Sequence, residues 1–274
     1  MIELPEAMVL SKQLANELSG KEIVEVVAAQ NPHKFAWYSG DPALYDRLLT
    51  HKRIEGAVSN GGQVELWAGD MTLVFSDGVN LRFHLKNDPP PGKHQLLLKF
   101  NDETSLSTTI AMYGGLLCTP KGKNDNPYYL IAKDKPSPFS ESFTLDYFLK
   151  LFTPEDLKLS LKAFLATNQR IPGLGNGVLQ DILFNTGFHP RKKVDSLNDN
   201  DKNNLFVALI NTLSKMMELG GRDSEKDIYG NPGGYTSILS KNTLSRPCSR
   251  CGSQIMKEAY LGGSIYFCSG CQSV

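Results

Sequence analysis

Residues 248–271 read CSRCGSQIMKEAYLGGSIYFCSGC, which places Cys248 and Cys251 two residues apart, Cys268 and Cys271 two residues apart, and sixteen residues between the pairs. Thiolates at this spacing can close a tetrahedral metal site, and sixteen residues suffice for a hairpin that folds one pair onto the other. The spacing predicts a structural zinc ribbon carrying one Zn2+. A redox dithiol or two disulfides would use the same residues, but a closed four-sulfur set fits zinc better. Cysteine fills every ligand position, so no place remains for a catalytic water and the ion organises structure, not chemistry. Cys118 lies far away and reads as a core thiol.

Working outward, Ile228 to Val274 carries Lys241, Arg246, Arg250 and Lys257 against one acid, Glu258. The chain as a whole has 29 basic and 29 acidic residues, but the part from residue 151 onward has 14 and 11. A neutral protein with one basic face can bind a polyanion, with weak steering and easy loss in salt. Charge alone does not establish a nucleic-acid partner.

With 274 residues, 41% of them hydrophobic and 21% charged, the chain has room for two domains with ordinary cores. No stretch is apolar and long enough to span a membrane, and the N-terminal MIELPEAMVL lacks the basic start and sustained apolar run of a secretory signal. Cysteines in a metal pattern fit a reducing cytoplasm.

The two halves of the chain are patterned differently. After an opening helix at 6–18, short alternating or β-branched segments at 23–28, 63–67, 72–75, 80–85, 95–100 and 105–111 are separated by turn signals, among them Asn60-Gly61-Gly62 and Ser76-Asp77-Gly78. This predicts an antiparallel β-sandwich. Residues 133–142, with Pro136 and Pro138, read as a linker, and helices are expected at 154–166, 178–186 and 199–219, the first capped by Thr153 with Pro154 at its first position. The α+β organisation expected is a β-sandwich domain over 1–135, a linker over 136–146, a helical domain over 147–227 and a zinc finger over 228–274.

Between two of these helices lies NQRIPGLGNG, residues 168–177. Its glycines let the backbone approach a ligand closely, and amides at a helix N-terminus can bind phosphate. A tight turn would look the same, and the strand context of a dinucleotide site and the lysine of a phosphate loop are both missing. Asn176 could equally be a helix cap.

The order of motifs is more specific than any one of them. LPEA near the start, a sandwich, IPGLGNGVLQDILFNTGFHP, GNPGGY and a four-cysteine ribbon ending in CSGCQ together resemble the Fpg/Nei family of formamidopyrimidine-DNA glycosylase and endonuclease VIII, from end to end of the chain. Lys93-His94 and the linker PSPFSESF add minor matches. The resemblance implies a β-sandwich joined to a helix-two-turn-helix domain with a zinc finger, clamping double-stranded DNA that holds a damaged base or abasic site. It further implies a monomer in the cytoplasm, on the nucleoid when DNA-bound. Asn176 and Gly175 match its phosphate-binding turn, and His94, beside Lys93, a DNA-contacting histidine.

Family members use an N-terminal proline amine to attack the sugar C1′, forming a Schiff base that allows strand cleavage, with an adjacent glutamate moving protons. Glu3 matches that glutamate, but the nucleophile position is Ile2. A bulky second residue does not suit methionine removal, so the expected amine is that of Met1, up to about 3.6 Å from the usual place, a displacement costly to rate. The resemblance also places Gln63 at the elimination lysine, Met112 and Tyr113 at the void-filling arginine and aromatic wedge, and Gly263 at the finger arginine.

Three readings follow. One is a base-excision glycosylase using the Met1 amine or a Glu3-activated water, with weakened or absent lyase activity. The second is a non-catalytic damaged-DNA-binding protein, and the third an RNA-binding or protein-interaction module, which leaves the end-to-end resemblance unexplained. Retention of Glu3 beside a terminus that could supply an amine favours the first. Elsewhere, Glu6 suits a helix start, His33, His51, His84 and His189 lack ligand spacing, and Trp37-Tyr38 and Tyr128-Tyr129 suit either core packing or base stacking. Arg191-Lys192-Lys193 suits a backbone-contacting track or a solvated loop.

Overall fold

The computed structural model describes residues 1–272. Helix α1 (Leu4–Leu18) opens the chain, with Pro5 in its first turn and Glu3 as its N-cap residue; Glu6 accepts a hydrogen bond from the Glu3 amide at 3.2 Å. The β-rich half contains β1 (Ile23–Ala28), β2 (Ala36–Tyr38), α2 (Tyr45–Leu49), β3 (Ile54–Asn60), β4 (Gln63–Ala68), β5 (Met71–His84), β6 (Leu96–Phe100) and β7 (Ser105–Pro120). The strands are hydrogen-bonded in the order β1-β6-β7-β5-β4-β3, with β2 pairing β7. All pairings are antiparallel except the parallel β2–β7 ladder, which the local pattern did not foretell.

The sandwich arises because β5 and β7 serve both of its halves. Residues 71–77 of β5 pair with 114–120 of β7, and after an irregularity between Asp77 and Val79 residues 79–84 pair with 105–110. The turn expected at Ser76-Asp77-Gly78 is therefore a bulge inside one long strand, with Asp77 at φ 59°. Such an extra residue bends a strand without ending it. Side chains from both halves, including Phe75, Leu66, Phe83, Leu98 and Phe100, share one buried core with Leu10, Leu14 and Leu18 of α1.

The second half consists of α3 (Pro127–Asp134), α4 (Leu145–Lys150), α5 (Leu161–Ala166), α6 (Asn176–Thr186), α7 (Asp199–Glu218) and the hairpin β8 (Ile255–Tyr260) and β9 (Gly263–Cys268). The helix expected over 154–166 is instead a short 3₁₀ turn at Pro154–Asp156 followed by α5, which Ser160 caps by accepting from the Ala163 amide at 3.2 Å. Two start signals thus lie within seven residues of one another, and each ends what precedes it. Helix α3 runs into the start of the expected linker. Phe148 is fully buried against Phe143, Phe152 and Phe206, at the centre of a core that spans α4 to α7.

The two halves are joined at several points. Leu4 donates to the Gly173 carbonyl at 2.8 Å, and Tyr129 of α3 donates to the buried Glu65 carboxylate of β4 at 2.9 Å. After α7 the chain returns to the sandwich: Phe83 donates to Ile228 at 2.8 Å, and the Ile228 side chain enters the sandwich core. Asp181 of α6 accepts from the amides of Ile238 and Leu239 at 2.8 Å each and thereby fixes the approach to the ribbon.

Replacing Phe148 with Ala should cost about 3–5 kcal/mol, because the cavity cannot collapse among its aromatic neighbours; the shift of the chemical denaturation midpoint measures it.

Candidate nucleic-acid interface and catalytic corner

Glycine spacing explains how the helix start of α6 receives a partner from the other domain. Gly175 is the N-cap residue and Asn176 the first helical residue, so Asn176 is not the cap. The carboxylate of Glu3 sits on that helix end, accepting from the Gly177 amide at 2.9 Å and the Val178 amide at 2.8 Å. A methyl group on Gly175 would lie 2.6 Å from Glu3 Oε1, and one on Gly177 would overlap the Arg222 guanidinium. The amides expected to bind phosphate are thus already held by a carboxylate, which suits the same positive helix end.

Arg222 completes the corner. Its Nη2 donates to Glu6 Oε2 at 2.8 Å and its Nε to Glu6 Oε1 at 3.0 Å, while Nη1 lies 3.6 Å from Glu3 Oε1. All three side chains are buried. One cation therefore serves two carboxylates unequally. Burial pushes the Glu3 carboxyl above its ordinary 4.5, against the pull of Arg222 and the helix amides, and the Glu6 charge adds to the push. Burial acts on Glu6 too, but the direct Arg222 contacts hold it below 4.5. Environments that separate two neighbouring carboxyls in this way divide acid and base roles between them. Glu3 is thereby the more readily protonated of the two.

The sequence alone did not mark Arg222 or Glu225, whose partners lie more than 200 positions away. The Met1 amine is ion-paired with the Glu225 carboxylate, and the Ile2 amide donates to the Asp77 carbonyl at 2.6 Å. Met1, Ile2 and Glu3 line one cleft of about 540 Å³ between the two halves, together with Gln63, Ser76, Asp77, Tyr113 and Gly175. Lys93 and His94 are not among its lining residues. Lys93 is exposed, whereas His94 is buried in the approach to β6, with Nδ1 3.0 Å from the Pro91 carbonyl and Nε2 unpartnered.

Asn176 faces the β8–β9 hairpin. Its Nδ2 donates to the Ser264 carbonyl at 2.8 Å, leaving Oδ1 buried without a partner. A side chain at Gly263 would point between Lys162 Nζ, 3.4 Å from the Cβ position, and Asn176 Nδ2 at 3.8 Å. Lys162, also unmarked by the sequence, donates to the Tyr260 carbonyl, and Arg191 pairs with Glu258 at 2.8 Å with its guanidinium 4.2 Å from the Tyr260 ring centroid. Arg191 therefore clasps the hairpin while its side chain stays 40% exposed. His84 and His189 are buried, the first 2.8 Å from Ser107 Oγ and the second against Phe267. Cys118 is a core thiol, raised to about 12 by burial.

The four ribbon sulfurs all lie within 4.8 Å of one another, with Cys248–Cys271 at 3.8 Å and Cys251–Cys268 at 3.4 Å. A tetrahedron with metal–sulfur bonds near 2.3 Å has edges of about 3.8 Å. Thus Cys248, Cys251, Cys268 and Cys271 can hold a metal ion, and all are free of disulfides. No described helix is long and apolar enough to cross a membrane.

Comparison with known proteins matches residues 135–227 to the formamidopyrimidine-DNA glycosylase H2TH domain. Among curated proteins, formamidopyrimidine-DNA glycosylase of Cytobacillus firmus is 26% identical over 283 residues, covering 99% of this chain and all of the relative. That of Bacillus licheniformis is 27% identical over 279 residues, covering 99% of each. The crystal structure of the MutM (Fpg) protein from Thermus thermophilus superimposes with a TM-score of 0.82 at 25% identity over 98% of each chain. Lactococcus lactis Fpg in complex with DNA containing an abasic site gives a TM-score of 0.83 at 24% identity, covering 99% of this chain and all of that one.

Two outcomes are expected. Metal analysis should find one ion per chain, and stripping it with a chelator should loosen the ribbon, seen as faster proteolysis within residues 248–271. Glu3→Gln should change the pH dependence of stability with a fixed sign: because the folded pKa of Glu3 is raised, the ionised group opposes folding. Wild-type stability relative to the variant should therefore fall as pH rises from the ordinary 4.5 through the raised folded value, measured by paired denaturant titrations.

Proposed function

Because the chain belongs to the Fpg/Nei family, we propose that it is a base-excision DNA glycosylase that binds damaged or abasic double-stranded DNA and removes damaged bases, with weakened or absent lyase activity. The observation that carries this reading is that Met1, which bears the N-terminal amine, and Glu3, whose carboxyl pKa is raised by burial, are both lining residues of one cleft between the two halves of the molecule. A flipped nucleotide entering that cleft would meet the amine as nucleophile for C1′ and Glu3 as proton donor to the opening sugar. If water attacks instead, Glu3 in its ionised form is the base, and no covalent adduct forms.

Several features support the weakened lyase activity of this reading. The Met1 amine is held by the Glu225 carboxylate, a contact that must break before the nitrogen can reach C1′. Gln63 at the edge of the cleft cannot act as a titrating amine, and Gly263 supplies no cation. The same pairing of Met1 with Glu225 favours a second reading, in which the protein recognises damaged DNA without reacting. Under either reading Asn176, Gly175, Lys93 and His94 are proposed DNA contacts, the four cysteines hold one structural Zn2+, and the protein acts as a cytoplasmic monomer. The domains proposed are 1–135, 136–146, 147–227 and 228–274.

Borohydride trapping on a duplex with an abasic site separates the readings. Wild type should give an adduct that maps to Met1 by peptide mass, Glu3→Gln should reduce base release by at least about 100-fold, and Ile2→Pro should increase trapping. Base release without an adduct would assign the water route. Binding with neither base release nor an adduct would assign the non-catalytic role.

A further inference from the structure

Trp37 has no part in the chemistry described above, yet it is half exposed at the mouth of the same cleft. The parallel β2–β7 pairing puts Trp37 beside Gly115, Gly115 pairs with Ser76 of β5, and Ser76 pairs with Gln63 of β4. A row of four residues thus crosses the sheet with an indole at one end and a carboxamide at the other. Its middle is kept low by Gly115, where a methyl group would lie 2.7 Å from Ser76 Oγ. Tyr113 braces the indole, with ring centroids 5.6 Å apart and planes tilted by 43°, too close for a third ring to enter between them. A ligand must therefore stack on the outside of the pair. At the other end, Gln63 Oε1 is buried without a hydrogen-bond partner, an acceptor left unsatisfied by the protein itself.

We propose that Trp37, braced by Tyr113, is a stacking platform for an unpaired nucleobase. The proposal rests on the DNA-repair reading and adds to it the subsite that holds the base. A flat aromatic ligand suits an exposed indole at one end of a shallow trough, and a cleft of about 540 Å³ is large enough for it. Base–aromatic stacking tolerates any base, because every base has a π-face.

The test uses the full-length, metal-loaded protein and duplexes with 2-aminopurine, which loses emission on stacking, either unpaired opposite a tetrahydrofuran abasic analogue or fully paired with thymine. Anisotropy gives affinity and emission at saturation reports stacking. Wild type should quench the unpaired probe below its level in the free duplex. Trp37→Ala should abolish that quenching and weaken binding to the unpaired duplex by about tenfold, leaving the paired duplex unaffected. Trp37→Phe, which keeps a smaller ring, should retain part of both effects. Undiminished quenching by Trp37→Ala, or an equal loss of affinity on both duplexes, overturns the platform and leaves the repair reading standing. Failure of wild type to bind any of these duplexes overturns the repair reading, and the platform with it.

Discussion

The contact between the Glu3 carboxylate and the first amides of α6 is the constraint on which the rest of the arrangement depends. It joins the first residues of the chain to a helix that begins more than 170 positions later, and both oxygens of the carboxylate are used. The contact requires the turn at 173–177 to present bare backbone, hence Gly175 and Gly177, and it requires the Met1–Glu3 segment to run beside the sandwich, hence the Ile2–Asp77 hydrogen bond. Residues of this seam line one side of the cleft between the halves.

Burying Glu3 in that seam creates an electrostatic imbalance that the protein resolves in one direction. Arg222 bonds Glu6 through both its side chain and its backbone amide, so Glu6 keeps its charge and Glu3 bears the cost of desolvation. The helix amides offset part of that cost without cancelling it. A carboxyl whose pKa is raised by burial is thereby placed beside a cleft. Substituting Arg222 would leave two buried carboxylates facing one another, a larger disturbance than the loss of one ion pair.

The ribbon is held to the helical domain by a second set of contacts around Tyr260 and Ser264. Asn176 and Lys162 bond the hairpin carbonyls, and Arg191 stacks on Tyr260 while pairing with Glu258. Gly263 leaves space beside these groups. The hairpin and the α6 turn therefore form one unit, and Asn176 has a structural bond even before any ligand arrives.

Much of this was legible in the residues themselves. The cysteine spacing identified the ribbon, alternation identified the sandwich strands other than β2 and β3, and the order of motifs identified the family, because each is a local pattern or a sequence of local patterns. Local signals also misled: Ser76-Asp77-Gly78 has turn chemistry but forms a bulge, since pairing on both flanks outweighs the preference of three residues, and Ser160 restarts a helix that periodicity would run straight through. What only the tertiary structure decided is which groups meet. That Glu3 occupies the helix end expected to bind phosphate, that Arg222 favours Glu6 over Glu3, and that Trp37, Ser76 and Gln63 share one row across the sheet all depend on contacts between distant positions. Local sequence carries propensity and spacing, but the partner of a buried charge is set by the packing of elements far apart in the chain.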